Sequence, residues 1–357
     1  MKGLLLLVYT VISWYLTSTT FIIPLYILSS IKPLRKTCNQ LSKFITSMSM
    51  RNTSFFYQKI LNIPLTLYGD SINKNDSCLF LMNHRSSIDY LFYISLISEF
   101  SDAEKIKIVM KSVLRFFPGL GWVCYVNDYP FLKRNFATDQ NYLKNLGKNL
   151  NNSNLLIFPE GTRYSQEKLL KSNQYSEKNG YPKYNNLLLP KTKGSYLIFK
   201  SMLEHNNIDA IYDLTINFDG IEKCKKHNTS KLIFKNNIKS VHIHSRRISV
   251  DKIPKDEDGF RRWMHQLYIG KDLLLDLPIN KWKNIYPYYK VKKRKNILIF
   301  LLVLILTTCF IYLIAKSKKF RYYHYFLFIS GFIIVIFNNK YRKSQKIISN
   351  SLKQTHC

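Results

Sequence analysis

The sequence is short of acidic residues, with 22 Asp and Glu against 54 Lys and Arg, a formal net charge of +32. All 22 acids lie between Asp70 and Asp276, so both flanks carry cations without anions. A basic excess of this kind is typical of proteins that bind nucleic acid or anionic membranes. The chain has no recognisable DNA- or RNA-binding signature, and its cations cluster beside apolar runs. We therefore expect a membrane bilayer as partner and no nucleic acid.

The sequence also lacks paired cysteines. Its six cysteines form no Cys-x-x-Cys pair and no regular framework. This pattern indicates reduced thiols and favours a domain that faces the cytosol. Four Asn-x-Ser/Thr sequons would matter only if the domain were lumenal.

Three long apolar runs without Lys, Arg, Asp or Glu are present, at residues 3–31, 296–315 and 322–339. The first two are long enough to cross a hydrocarbon core of about 30 Å. The third is shorter and carries His324, so we expect a span, with a re-entrant or interfacial segment as the alternatives. The sequence thus predicts an N-terminal membrane anchor at 1–31, a C-terminal transmembrane hairpin at 296–339 and a basic tail at 340–357.

The orientation of the first run follows from its flanking charges. Because Lys2 precedes it, a cleavable signal peptide is the alternative to an anchor. No small-residue cleavage site is evident, and Lys32, Arg35 and Lys36 fit a retained anchor with these cations in the cytosol. The cations of residues 316–321 oppose a lumenal turn in the C-terminal hairpin, which leaves the topology of that end open.

Residues 32–295 alternate between short apolar segments and helix-length stretches, which indicates an α/β domain. The predicted strands are 79–82, 106–110, 155–158, 210–217 and 241–250. The predicted helices are 88–97, 138–150, 194–204 and 259–275. Residues 164–186 are polar without a clean period, so we predict a long surface loop there, either a lid or a disordered segment.

A histidine and a carboxylate follow the first predicted strand. Five residues separate His84 from Asp89, so we expect His84 on a turn and Asp89 in the first helical turn, where the helix dipole favours a carboxylate. Such a pair suits general-base catalysis on an alcohol, since the carboxylate orients the imidazole and stabilises the imidazolium. The alternative is structural: Ser86 caps the helix and Asp89 completes a capping box.

Other catalytic patterns are missing. Without a Gly-x-Ser-x-Gly elbow, direct attack by a bound hydroxyl on an activated acyl group is favoured over a covalent acyl-enzyme. Gly119 and Gly121 begin like a nucleotide fingerprint that lacks its third glycine. His242 and His244 could share one face of a strand as metal ligands do, but no third ligand is evident, so a surface strand is the favoured interpretation.

Two arginines, Arg134 and Arg163, each stand at the end of an apolar segment. An Arg fork matches phosphate oxygens, while Gly161 lets a ligand approach the backbone and Thr162 adds a hydroxyl donor. These residues suit a phosphorylated acceptor. For each arginine alone, a solvated or salt-bridged surface position is the alternative.

Taken in order, four blocks resemble those of the glycerolipid acyltransferase family, in its eukaryotic 1-acylglycerol-3-phosphate and lysocardiolipin acyltransferase branch. The blocks are Asn-His-x4-Asp at 83–89, Phe-Leu-Lys-Arg at 131–134, Phe-Pro-Glu-Gly-Thr-Arg at 158–163 and Leu-Pro-Lys-Thr-Lys-Gly at 189–194. Residues 211–218 and 263–268 also resemble this branch, so the motif core covers about 75–275. The resemblance implies that 32–295 form an acyltransferase domain with a mixed sheet and flanking helices.

The resemblance also implies roles for single residues. His84 would take the proton from the free glycerol hydroxyl, and Asp89 would orient it. The residues implied to hold the lysophospholipid phosphate and shape the acceptor site are Arg134, Glu160, Gly161, Thr162 and Arg163. Pro190 would help to build the acyl-CoA side. No metal and no cofactor are implied, because acyl-CoA is a co-substrate.

The implied function is acyl-CoA-dependent acylation of the sn-2 hydroxyl of 1-acyl-glycerol-3-phosphate, giving phosphatidic acid. An alternative keeps the chemistry and takes lysocardiolipin or another lysophospholipid as acceptor. An alternative of a different class is a non-catalytic membrane lipid-binding scaffold. We expect an integral membrane protein of the endoplasmic reticulum, with its catalytic domain facing the cytosol.

Overall fold

The computed structural model describes residues 2–220, 238–291, 305, 308–310 and 312–337. The helices are α1 (Lys2–Leu16), α2 (Ile23–Leu28), α3 (Arg35–Leu61), α4 (Asp89–Phe100), α5 (Leu120–Val126), α6 (Phe136–Lys144), α7 (Gln166–Lys178), α8 (Thr192–Glu204), α9 (Glu257–Asp276), α10 (Ile279–Ile285) and α11 (Lys318–Phe337). The strands are β1 (Leu65–Gly69), β2 (Cys78–Met82), β3 (Ile106–Ile108), β4 (Met110–Lys111), β5 (Phe131–Leu132), β6 (Asn154–Ile157), β7 (Ala210–Asp219), β8 (Ser240–Ser249) and β9 (Tyr288–Lys290).

The chain divides into two compact units that interleave along the sequence. Unit 1 comprises Met1–Leu6, Thr53–Ile108 and Gly147–Arg294. Unit 2 comprises Leu7–Asn52, Val109–Leu146 and Lys295–Cys357. Among the described residues, unit 1 holds a seven-stranded sheet and unit 2 a two-stranded one, formed by β4 and β5.

The sheet of unit 1 has the strand order β3-β6-β2-β7-β8-β1-β9. The first four strands in this order run parallel, β8 is antiparallel to β7 but parallel to β1, and β9 is antiparallel to β1. All five residues of β2 and all four of β6 are buried, as is usual for parallel strands covered on both faces. Unit 1 therefore has the predicted α/β architecture with a mixed sheet.

The predicted strands and helices are all present, with ends displaced by a few residues. The strand predicted at 106–110 is divided into β3 and β4, and the helix predicted at 138–150 ends at Lys144, before a short 3-10 turn at Leu146–Asn149. The sequence analysis missed β1, which is five residues long and ends at a glycine, and β9, which has three residues. Thr66 and Gly69 interrupt the apolar run of β1, and β9 is exposed, so neither has the continuous apolar pattern by which β2 and β6 are predicted.

The surface loop predicted at 164–186 is wrong, because α7 occupies most of it. The side chain of Ser165 accepts a hydrogen bond from the Lys168 N–H and caps the helix, and Leu169 is buried with Tyr164 and Leu188. The other large apolar residues of this helix, Leu170 and Tyr175, are exposed, so its sequence shows no apolar stripe of helical period. A cap and one buried anchor residue take the place of that stripe.

Unit 2 contains a long apolar helical stretch at the N-terminus. A six-residue π-helical segment, Thr17–Ile22, links α1 to α2. Among the described residues, one helix, Leu6–Leu28, is long and apolar enough to cross a membrane. An anchor and a signal sequence both fit this length and composition.

The C-terminal predictions fall largely on residues outside the described part. The second apolar run is described only at residues 305, 308–310 and 312–315, and the basic tail at 340–357 is not described. Most of the third run lies in α11. Its crossing of a bilayer stays a prediction.

Candidate active site

The site lies where β2 and β6 end. These strands are parallel neighbours, with Leu81 opposite Ile157, so the chain leaves both at the same edge of the sheet. The turn after β2 is fixed by Asn83, whose amide donates to the carbonyl of Ile216 (3.1 Å) and accepts from its N–H (2.7 Å). Because Ile216 belongs to β7, the turn that carries His84 is tied to a third strand.

His84 and Asp89 meet as the spacing predicts. The Nδ1 of His84 lies 2.9 Å from the Oδ2 of Asp89, the first residue of α4. The carboxylate is fully buried and also accepts from the backbone N–H groups of Arg85 (2.8 Å) and Ser86 (2.9 and 3.0 Å). The His84 ring stacks on Phe158 at a centroid distance of 4.0 Å, and 15% of the side chain is exposed. The imidazole is thus oriented on one side and still accessible.

The capping-box interpretation is wrong about the cap, because Ile88 precedes α4 and no side chain caps the helix, but one of its contacts is present. The Ser86 N–H donates to the Asp89 carboxylate, as in a capping box, but the Ser86 hydroxyl accepts only a long bond from the Ile88 N–H (3.4 Å). Asp89 therefore supports the start of α4 and the histidine at once. The two interpretations of this motif are compatible.

Glu160 contacts the backbone of the histidine turn. One carboxylate oxygen accepts from the His84 N–H (2.9 Å), and the other accepts from the Leu188 N–H (3.4 Å). The Tyr164 N–H in turn donates to the His84 carbonyl (2.8 Å). Burial raises the pKa of Glu160 to about 8, although both N–H donors and two nearby cations lower it. The Glu160 side chain thus holds His84 in place by binding the His84 backbone.

The other residues of the third block form a tight turn. Gly161 has φ +69°, and a Cβ there would lie 3.2 Å from the side chain of Lys191. The Thr162 hydroxyl and the Arg163 carbonyl both accept from the ammonium of Lys168, while the Arg163 side chain is exposed. An exposed guanidinium on a fixed turn can bind an anion.

Pro190 is buried beside this turn. The next residue, Lys191, donates its N–H to the Pro159 carbonyl (2.8 Å), which joins the third and fourth blocks directly. The implied role of Pro190 on the acyl-CoA side stays a prediction.

Arg134 belongs to unit 2. It is exposed, with φ +64°, and its N–H and that of Lys133 donate to the carboxylate of Asp139 (2.8 and 3.1 Å). Asp139 lies in the first turn of α6, so this helix fixes the backbone on which Arg134 stands. Binding of a phosphate by Arg134 stays a prediction.

A buried lysine beneath the site was missed by the sequence analysis. The ammonium of Lys271, on α9, lies 2.7 Å from a carboxylate oxygen of Asp213 and donates to the carbonyls of Leu81 (2.9 Å) and Leu214 (2.6 Å). Burial lowers the pKa of Lys271, and Asp213 opposes that shift. The lysine fastens the end of β2 to the middle of β7, just before the His84 turn. Asp213 was the available signal, because a carboxylate in the apolar first half of β7 requires a partner.

The same helix holds a second connection. The Asp272 carboxylate accepts from the N–H groups of Asn185 (2.8 Å) and Asn186 (2.7 Å). The Asn186 carbonyl accepts from the guanidinium of Arg85 (3.0 Å), which also lies over the Tyr164 ring. Residues on α9 thus support the histidine turn from two directions.

The interpretation of residues 241–250 as a surface strand is wrong. Strand β8 lies inside the sheet, because the unpredicted β1 pairs with its outer side. His242 is buried, with the hydroxyl of Tyr68 at Nδ1 (2.9 Å) and that of Ser240 at Nε2 (2.8 Å). In the part of the chain that the structure describes, no group of three or more His, Cys, Asp or Glu residues could hold a metal ion.

Comparison with known proteins finds similarity over the region that contains the four sequence blocks. The family profile described as Acyltransferase matches residues 64–202, and the profile described as Acyltransferase C-terminus matches residues 232–304. Lysocardiolipin acyltransferase 1 of Mus musculus is 28% identical over 220 residues, 60% of this chain and 57% of that protein. Probable 1-acyl-sn-glycerol-3-phosphate acyltransferase 5 of Arabidopsis thaliana is 30% identical over 228 residues, 62% and 59% of the two chains.

The matched region spans less than three fifths of the length of these two relatives. Among solved structures, the 1-acyl-sn-glycerophosphate (LPA) acyltransferase PlsC of Thermotoga maritima has a TM-score of 0.42 and 16% identity, covering 78% of this chain and 99% of that one. The two profiles together enclose the histidine turn, the glutamate turn and the helix that supports them both. The chain belongs to the glycerolipid acyltransferase family.

Proposed function

We propose that this protein is a membrane-bound, acyl-CoA-dependent lysophospholipid acyltransferase that acts on 1-acyl-glycerol-3-phosphate and forms phosphatidic acid. The observation that carries the proposal is the 2.9 Å contact between His84 and the fully buried Asp89, beside an exposed part of the imidazole. A histidine held in this way can accept a proton from an alcohol. The family membership supplies the class of alcohol.

The reaction would be a single transfer. The sn-2 oxygen attacks the thioester carbonyl of acyl-CoA while His84 takes the hydroxyl proton. The new C–O bond replaces the C–S bond, and the proton passes from the imidazolium to the CoA thiolate. Asp89 keeps the proton on Nδ1, so that Nε2 is the basic nitrogen, and stabilises the imidazolium. No side chain becomes acylated.

The exposed guanidinium groups of Arg134 and Arg163 would bind the acceptor phosphate. The backbone of each arginine is held by a specific hydrogen bond, to the carboxylate of Asp139 for Arg134 and from the ammonium of Lys168 for Arg163. Charge-assisted pairs between Arg and phosphate are among the stronger polar contacts in proteins. The basic flanks of the chain would draw the enzyme to anionic lipid.

A second candidate acceptor is lysocardiolipin. It is favoured by the similar identity of relatives with either name, 28% for the lysocardiolipin acyltransferase and 30% for the plant enzyme. The proposed chemistry is the same for both acceptors, since each presents a glycerol hydroxyl beside a phosphate. We place the protein in the endoplasmic reticulum membrane with its active site towards the cytosol, where acyl-CoA is supplied.

Acyl transfer from oleoyl-CoA by the full-length protein in detergent tests the proposal. The acceptors are lysophosphatidic acid, lysophosphatidylinositol, lysophosphatidylcholine and lysocardiolipin. His84→Ala is the blank, and His205→Ala, at the end of α8, is the matched histidine control. Preference for lysophosphatidic acid that depends on His84 supports the proposal. Preference for lysocardiolipin selects the second candidate, and no transfer to any acceptor favours the non-catalytic scaffold.

A further inference from the structure

Unit 2 exposes an unusual run of apolar side chains at residues 112–117, between β4 and α5; this run is called the docking segment below. Four large apolar residues within five positions are between 37% and 55% exposed: Val113, Leu114, Phe116 and Phe117. Soluble surfaces scatter such residues singly, and contiguous exposed patches mark interaction sites. The segment is therefore a candidate contact surface.

The docking segment has a defined conformation. It forms a short 3-10 turn, and the Phe117 N–H donates to the Leu114 carbonyl (3.1 Å). A Cβ on Gly121 would lie 2.0 Å from that same carbonyl oxygen, so the turn packs closely on the backbone of α5. Its apolar side chains are exposed on a supported turn.

The segment also lies close to the apolar N-terminal helix within the same unit. A Cβ on Gly119, the residue before α5, would lie 2.9 Å from backbone atoms of Trp14 and Tyr15. These two residues belong to Leu6–Leu28, the stretch long and apolar enough to cross a membrane. Glycine permits this close backbone contact. The docking segment thus ends two residues before a close backbone contact with the part of unit 2 best suited to lipid.

The positive charges around the docking segment favour binding to an anionic surface. Residues 7–52 and 109–146 of unit 2 contain ten Lys and Arg but only two acids, Asp128 and Asp139. Lys111 and Arg115 stand in or beside the apolar run, and Lys111 is exposed. Exposed Phe and Leu side chains combined with Lys and Arg are typical of segments that lie in a membrane interface.

The two-stranded sheet connects the segment with Arg134. Strands β4 and β5 are parallel, with Lys111 opposite Leu132, so the chain leaves both strands at the same end. The docking segment follows β4, and the turn of Lys133 and Arg134 follows β5. A lipid whose phosphate binds Arg134 would therefore have its chains near the segment.

We propose that the docking segment inserts into the boundary between headgroups and acyl chains of an anionic bilayer and holds Arg134 at headgroup depth. The insertion is inferred from the exposure of the segment, the charges around it and its proximity to the apolar helix. The consequence for Arg134 rests on the proposed function, in which this residue binds the acceptor phosphate. The two parts are tested separately.

Insertion is tested by fluorescence quenching on the full-length protein in nanodiscs of phosphatidylcholine and phosphatidylserine. The Phe117→Trp variant is compared with the Leu170→Trp variant, which changes a residue of similar exposure on α7 of unit 1. The fluorescence of the four native tryptophans is measured in the wild type and subtracted from that of each variant. Lipids brominated near the headgroup end of the acyl chains should quench the added fluorescence of Phe117→Trp at least twofold more than that of Leu170→Trp. Equal quenching in the two variants would overturn the proposal.

A second copy of this chain is the competing occupant of the patch. If a second copy covers the patch, brominated lipid will not quench the added fluorescence of Phe117→Trp. The wild type will then be an oligomer, and Phe117→Ser will be a monomer. These two results together would also overturn the proposal. Because quenching needs no turnover, it is independent of the proposed enzyme activity.

The link to Arg134 is tested by kinetics with two acceptors. Phe116→Ser combined with Phe117→Ser should raise KM about tenfold for lysophosphatidic acid in vesicles, but leave KM within twofold for a short-chain, water-soluble acceptor. An equal change for both acceptors would contradict a role in presenting membrane lipid. Arg134→Ala should raise KM for both, since the phosphate is common to them.

Discussion

His84 and His242 both lie in unit 1 on or beside strands of the same sheet, yet their surroundings differ completely. His84 has a carboxylate at Nδ1 and a partly exposed ring. His242 has hydroxyl groups at both nitrogens and is 5% exposed. Burial lowers the pKa of His242 to about 4, so the ring stays neutral at physiological pH. A histidine can serve as a general base only if one nitrogen is oriented and the other is accessible.

The largest difference between the two histidines should appear in turnover. We expect His84→Ala to lower kcat by ~10²- to 10⁴-fold, the range for a lost general base. His242→Gln should keep kcat within threefold, since its ring nitrogens are both occupied by hydroxyls. Steady-state kinetics with thermal unfolding as a folding control measures both. Activity of His84→Ala within threefold of wild type would refute the assigned role.

The support of the His84 turn should be visible in stability. In Lys271→Met the buried carboxylate of Asp213 loses its ammonium partner and keeps only the half-exposed guanidinium of Arg246 (3.2 Å) as a charged partner. Because removing one partner of a buried ion pair costs about 3–5 kcal/mol and Arg246 remains, we expect a loss at the lower end of that range. Chemical denaturation measures the loss. Lys271→Met combined with Asp213→Leu should recover at least half of it. If the double variant is no more stable than Lys271→Met, the pair does not account for the effect.

Glu160 should make stability depend on pH. Its pKa is about 8 in the folded protein against 4.5 for the free group, so the folded state binds the extra proton between these values. The stabilising contribution is present below pH ~4.5 and is lost as pH rises to about 8, on the order of 2–4 kcal/mol. Unfolding free energies of wild type and Glu160→Gln across this range test the sign. If wild type gains stability relative to Glu160→Gln as pH rises, the sign is wrong.

His242 should give the smallest effect, with the opposite sign. Its pKa falls from 6.5 to about 4 on folding, so the unfolded state binds more protons between these values. The contribution of the neutral ring is present above pH 6.5 and is lost as pH falls to about 4, on the order of 1–3 kcal/mol. His242→Gln should flatten this acid limb of the stability curve. An unchanged acid limb would show that another group causes it.

The predictable part of the site is local in sequence. Strand β2, the turn and the start of α4 lie within a dozen residues, so the pairing of His84 with Asp89 followed from spacing alone. The contact of Glu160 with the His84 N–H spans 76 residues, and that of Lys271 with the Leu81 carbonyl spans 190. These contacts depend on strand order and helix packing, which residue patterns do not specify.

The same distinction explains the errors in the fold. The helix α7 is held by a cap and the buried Leu169, features that leave almost no periodic signal. The lack of a third metal ligand beside His242 and His244 favoured a surface strand, and the unpredicted β1 is what places β8 inside the sheet. The strands with continuous apolar runs, β2 and β6, agree with their predicted ends to within two residues. The position of β1, which lacks such a run, depends on its pairing with β8.

The position of β1 has a consequence for synthesis of the chain. This strand ends at Gly69, but its parallel partner β8 extends to Ser249 and its antiparallel partner β9 lies at Tyr288–Lys290. At a translation rate of roughly 5–20 residues per second, the ribosome needs about 9–36 s to pass from the end of β1 to the end of β8. During that interval β1 has neither of its partner strands, so its backbone N–H and C=O groups are unpaired on both sides. An unpaired strand can pair with another chain, so a chaperone that covers β1 until β8 is made would reduce aggregation.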